Sequence, residues 1–188
     1  YSKRSIYAHS QIKNISKFGT IESLKVDAKL STVTAARGAM ISAVVTFSVS
    51  KINGADNEEA VKSTLRATAK AFGTTFAVTM ISSQLLKATP VVNALDNSRM
   101  LNKMAKSKSL QKVVSKSSGT AASASEAKNF LKGSVVTGAV TIAVLSSADI
   151  LRIISGRISK EQLFKNVAVT TASVAAGSAG FAVGVACG

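Results

Sequence analysis

The sequence predicts an all-α protein: two helical hairpins, about four apolar helices in all, joined by a basic linker and embedded in a membrane. Three observations lead there. Four stretches carry no charged residue, Gly38 to Ser50, Ala71 to Leu86, Gly133 to Ala148 and Asn166 to Gly188. A mean hydropathy of +0.27 coexists with a formal charge of +15. The chain is also built from small side chains, with no Trp, two Tyr and seven Phe. An aqueous core normally uses larger side chains, whereas small residues in apolar runs let helix backbones approach closely in a bilayer.

Composition narrows the function classes. The 188 residues allow one domain or two small ones. A disordered basic tail would lack the 46% apolar content. One Cys excludes an internal disulfide, and that Cys with a single His cannot complete a zinc site. No cofactor is expected, and no catalytic constellation is recognisable. His9 lies in a polar basic segment, Cys187 in an apolar run, and Gly177-Ser-Ala-Gly180 lacks the preceding strand and the Lys-Ser/Thr of a phosphate loop.

Along the chain, residues 1–31 read as a basic N-terminal segment without the continuous apolar stretch of a secretory signal. Lacking an initiator Met and ending in an apolar run, the sequence reads as the ordered part of a longer protein. Residues 32–90 form the first hairpin. Gly54 can adopt the left-handed conformation that closes a helix, and Asp56 with Glu59 has capping-box spacing for the next one. Residues 126–188 form the second hairpin, with Gly156 closing one helix and Ser159 with Gln162 capping its successor. Aligning Gly38 with Gly133 also matches Val45 with Val140, Thr46 with Thr141 and Val49 with Val144, which suggests a duplicated hairpin.

A span needs roughly 20 helical residues. Only the last charge-free run reaches that length unaided. The others require flanking groups such as Arg37, Lys51, Lys87 or Lys132 to snorkel to the interface. The alternative is a soluble bundle that inserts on a trigger. Residues 1–37 and 96–132 carry seven and eight Lys/Arg against four each in 51–70 and 149–165, which orients the N-terminus toward the cytoplasm.

The linker, residues 91–125, follows Pro90 and is rich in Ser and Lys. Leu101, Met104, Leu110 and Val114 alternate with Lys103, Lys106, Lys108 and Lys112, the pattern of a basic helix at an anionic lipid surface. A solvated flexible linker fits the same composition. These lysines are the candidate binding residues for lipid or an acidic protein partner. Nucleic acid is disfavoured, because no aromatic residue lies between Asp96 and Asn129.

In the last helix Ala172, Ala176, Gly180, Gly184 and Gly188 recur every four residues. Such a ladder makes a groove for a second helix, either the preceding one or a copy from another chain, so a homo-oligomer is expected. Asp149 and Arg152 can pair at a membrane interface. Thr137, Thr141, Thr170, Thr171 and Ser173 could line a wet path.

The stretch GRISKEQLFKN, Gly156 to Asn166, followed by an Ala/Gly-rich run, resembles bacterial inner-membrane proteins of uncharacterised role and membrane-acting toxins with Gly-rich helical hairpins. The resemblance covers about Gly133 to Gly188. It implies a bacterial membrane protein, of toxin, defence or mobile-element type, and assigns no active residue. The expected function is therefore oligomerisation in a bacterial inner membrane with perturbation or perforation of the bilayer. A non-enzymatic anchor or adaptor is the alternative.

Overall fold

The computed structural model describes residues 9–119, 121–156 and 159–187, without the side chains of residues 9, 117, 118, 148, 151, 153, 160 and 175–187. Eight helices and no strand occur among the described residues. The chain divides into two compact units, Tyr1–Gln84 and Leu85–Gly188.

The first unit contains α1 (His9–Ile15), α2 (Ile21–Ile52) and α3 (Asn57–Leu85). Helix α2 starts well before Thr32, the expected beginning of the hairpin, because Thr20 caps it by accepting a hydrogen bond from the Ser23 amide. The charges in its early turns are sorted by face: Asp27 is buried while Lys25 and Lys29 are exposed. At the far end Gly54 sits at φ +84°. The amides of Gly54 and Ala55 bond back to the carbonyls of Lys51 and Ser50, the paired bonds of a Schellman motif. Asp56 then starts α3 by accepting from the Glu59 amide at 2.7 Å.

Helices α2 and α3 meet through small side chains. The buried residues of α2 are Ser23, Asp27, Ser31, Ala35 and Ala39, four residues apart and therefore one ridge. A Cβ placed on Gly38 would lie 3.3 Å from Thr75 Oγ1.

The second unit contains α4 (Thr89–Asp96), α5 (Arg99–Ala105), α6 (Lys108–Ser118), α7 (Ala124–Ile154) and α8 (Lys160–Cys187). The basic segment 91–125 is thus not a flexible connector: it takes in three short helices, and eight helices rather than about four occur among the described residues. Pro90 lies in the first turn of α4, where a missing amide costs nothing. Ser98 caps α5 through the Leu101 amide. Ser123 and Glu126 close a reciprocal capping box on α7, with the Ser123 amide donating to Glu126 Oε2 at 2.7 Å and the Glu126 amide to Ser123 Oγ at 3.3 Å. One apolar residue per turn pins these helices down. Leu101, Ala105 and Val114 pack with Ala127 and Leu131 of α7, flanked by Leu95, Leu110 and Phe130.

The second hairpin turns at Gly156, φ +68°, and Ser159 Oγ accepts from the Gln162 amide at 3.2 Å. Its close approach is at Gly138, where a Cβ would lie 3.3 Å from Val174 Cγ1. Gly133 has open space instead, and Val140 is buried where its supposed counterpart Val45 is exposed. Two of the four matched pairs thus differ in their surroundings, whereas Thr46 and Thr141 are both half-buried.

Two helical stretches, Ile21–Ile52 and Ala124–Ser147, are long and apolar enough to cross a membrane. The run Ala71 to Leu86 belongs to a helix whose first half bears Glu58, Glu59, Lys62, Arg66 and Lys70.

Val at Gly38 should force α2 and α3 apart and destabilise the protein by about 1–3 kcal/mol, the usual cost of overpacking. The same change at Gly133 should be nearly neutral. Denaturant titration of the two variants, followed by circular dichroism, checks the difference.

Asp96 bonds to Lys132 and Lys128 of α7. These bonds, Lys132 first, hold its carboxyl below its ordinary value near 3.8. A lowered folded-state pKa means the pair stabilises fully above that ordinary value, and the contribution disappears as pH falls through the folded value. Asp96→Asn should therefore flatten the pH dependence of stability below about pH 4 while wild type loses stability there, as acid titration of the melting temperature would show.

Candidate functional site

The described residues contain no group of three or more His, Cys, Asp or Glu that could hold a metal ion. Their most distinctive chemistry is the distribution of polarity around the helices.

In the first unit that distribution is inverted. Ser23 and Ser31 are fully or almost fully buried, Asp27 is 3% exposed, and Ser82 and Gln84 of α3 are buried with them. Meanwhile Met40, Ile41 and Val44 on α2 are each about two-thirds exposed, and Val45, Leu65 and Phe72 also face outward. A soluble bundle would bury the second set and expose the first.

Two of these buried polar groups, Ser23 and Asp27, are joined by one side chain. Gln84 donates from Nε2 to Ser23 Oγ at 2.9 Å and to Asp27 Oδ2, and its Oε1 accepts the Gly19 amide at 2.9 Å. This ties the end of α3 to the start of α2 and to the turn preceding it. Sequence reasoning passed over Gln84 and the ridge Ser23-Asp27-Ser31-Ala35-Ala39, although the four-residue spacing was a usable signal. Nearer the turn, the Ser50 and Ser63 hydroxyls bond to one another at 3.0 Å.

Elsewhere many hydroxyls are satisfied within their own helix, whereas those of Thr68, Ser82 and Ser146 are buried without a hydrogen-bond partner among the described residues. Thr32, Thr34, Thr64, Thr79, Ser134, Thr141 and Thr171 each donate to the carbonyl four residues earlier. A hydroxyl bonded this way can face an apolar medium without losing its partner. Of the Thr and Ser residues expected to line a wet path, Thr137, Thr171 and Ser173 are exposed, while Thr141 and Thr170 are half-buried.

Asp149 is 8% exposed and does pair with Arg152, at 3.0 Å. It also crosses the hairpin: Asn166 Nδ2 donates to Asp149 Oδ2 at 2.8 Å, and Gln162 Nε2 donates to Asn166 Oδ1 at 2.9 Å. Gln162 thus belongs to the cross-helix network that fastens α8 to α7.

The ladder lies on α8, which is helical through Cys187, so Ala172, Ala176, Gly180 and Gly184 follow one row. The side chain of Ala176 and those around the two glycines lie outside the described residues, as does Gly188. Ala172, at the start of the row, is exposed, whereas Val174 meets α7 at Gly138. The ladder therefore begins on the face turned away from α7.

The candidate binding lysines divide between two helices and their edges. Lys103 is on α5, Lys106 follows it, and Lys108 and Lys112 are on α6; all four are exposed. The turn residues Gly54, Asp56, Glu59, Gly156 and Ser159 lie at the two hairpin ends.

No protein-family model, curated protein or solved structure matches this chain.

Gln84→Leu should leave Ser23 and Asp27 buried with one donor fewer and cost about 1–3 kcal/mol. Gln84→Glu should be at least as harmful, because it sets a second carboxylate beside Asp27. Denaturant midpoints of both variants test this; a midpoint equal to wild type for both would show that the polar lock does not stabilise the hairpin.

Proposed function

We propose that the protein is a non-enzymatic helical membrane protein that inserts its hairpins into a bilayer and, assembled in several copies, perturbs or perforates it. The observation carrying this reading is the inverted first hairpin, with small and polar side chains inside and Met40, Ile41 and Val44 outside. In lipid the outward apolar groups are solvated, and the inward groups allow close packing. Stretches Ile21–Ile52 and Ala124–Ser147 have the length and composition to span, and self-bonded Thr and Ser hydroxyls remove most of the cost of facing lipid.

Assembly is supported by the four-residue spacing of Ala172, Ala176, Gly180 and Gly184 along α8, a row of small residues that begins at exposed Ala172. Two hairpins enclose too little space for water, so a leak requires several chains. The site of action on this reading is a bacterial inner membrane, with the N-terminal segment cytoplasmic, and the mode is that of a toxin or defence effector. A membrane anchor is the second reading, favoured by the exposed lysines of α5 and α6.

Two measurements on the full chain separate these outcomes. The protein should resist extraction from membranes by alkaline carbonate, and release without detergent would refute stable spans. Purified protein should release dye from liposomes, and Gly180→Leu with Gly184→Leu should abolish release and oligomer formation but leave insertion intact. Insertion without leakage at every protein-to-lipid ratio would leave the anchor.

A further inference from the structure

The acids and bases of residues 96–132 are not paired at random. Asp96 is taken by Lys128 and Lys132, and Glu126 by Ser123. Among the described residues, no carboxylate pairs with Lys103, Lys106, Lys108 or Lys112. The fold therefore concentrates uncompensated positive charge on α5 and α6.

Helix geometry places that charge on one side. Leu101 and Ala105 of α5, and Val114 of α6, are packed against α7. Lys103 lies half a turn from Leu101 and Ala105, and Lys108 and Lys112, one turn apart, lie opposite Leu110 and Val114. Met100 lies one turn before Lys103 and one turn before Met104, and the two methionines are 72% and 43% exposed. Two long thioether side chains are thus held in water among lysines.

The level of this surface along α7 is fixed by its packing. Ala127 and Leu131 receive α5 and α6, and they occupy the turns just before the charge-free run that begins at Gly133. If α7 crosses the bilayer, α5 and α6 stand at the height of the headgroups. Ammonium groups there meet lipid phosphates, and flexible Met side chains reach the acyl boundary. An acidic protein would engage the lysines but has no need of the methionines or of this level.

We infer that α5 and α6 form an interfacial platform that binds anionic phospholipid headgroups through Lys103, Lys106, Lys108 and Lys112 and seats Met100 at the acyl boundary. The inference rests on α7 being a span, so its test reports on both. In full-length protein with Cys187→Ser, an environment-sensitive fluorophore is attached at Met100→Cys or, in a second sample, at Val135→Cys. Each is mixed with vesicles of phosphatidylcholine alone, or with added phosphatidylglycerol, carrying brominated acyl chains as quenchers.

The label at 135 should be quenched in both vesicles, and the label at 100 only in those containing phosphatidylglycerol. Replacing the four lysines with Gln should remove quenching at 100, each lysine contributing about fivefold in lipid affinity, while helix content and quenching at 135 stay unchanged. Quenching at 135 without quenching at 100 would overturn the platform and leave the span. Equal quenching at 100 in both vesicle types, or quenching that survives the Gln substitutions, would overturn anionic recognition. No quenching at 135 would overturn the span itself and the platform with it.

Discussion

Close approach between helices is the constraint on which the rest of the first unit depends. A ridge of Ser, Asp and Ala every four residues along α2, with Gly38 against Thr75, brings α2 close to α3, so that α2 presents only small or polar side chains to the seam. Met40, Ile41, Val44 and Val45 must then point outward. The outward apolar face thus follows from the choice of a small inner face. In water this arrangement would forfeit most of the burial that stabilises a bundle; in lipid the outward groups cost nothing, and dispersion along the seam becomes the main attraction.

Small seams bring polar atoms with them, and the chain satisfies many of these locally, although Ser82 Oγ on α3 is buried without a partner among the described residues. Serine and threonine hydroxyls return to their own helix carbonyls, Gln84 gathers Ser23, Asp27 and the Gly19 amide, and Asn166 reaches across to Asp149. The two locks sit differently. Gln84 secures the open end of its hairpin, where α2 begins and α3 finishes, whereas Asp149, Arg152 and Asn166 secure the turn end of the second hairpin. Each fixes register where small apolar contacts alone would permit sliding.

What the sequence made legible follows from how local each cause is. Gly54 and Gly156 adopt positive φ, and Asp56 and Ser159 accept the expected amides, because a helix end depends on a few adjacent residues. Helices α4 to α6 were harder to read. Each is only 7 to 11 residues long, and Ser98, Ser107 and Ser123, which sit at helix starts, give the composition of a flexible linker. The inner ridge of α2 was hidden for another reason: Ser and Asp count as polar in any hydropathy scale, so the seam looked like the solvent side. Gln84 had no local signature, since its partner Gly19 is distant in sequence and joined only by folding.

Six lysines of residues 96–132 divide into two populations once the fold is considered. Lys128 and Lys132 lie on α7 and are drawn to Asp96, so their positive charge fastens α4 to the long helix. Lys103, Lys106, Lys108 and Lys112 are held away from every described carboxylate on helices that have their own apolar footing. Had the segment been a flexible connector, its lysines could have folded back on Asp96, Glu126 or any other acid within reach. Helix formation denies them that, because residues opposite Leu101 and Val114 cannot turn inward without unpacking the core beneath. The short helices thus keep a basic surface both unpaired and fixed at one level of α7, which a disordered segment of identical composition could not do.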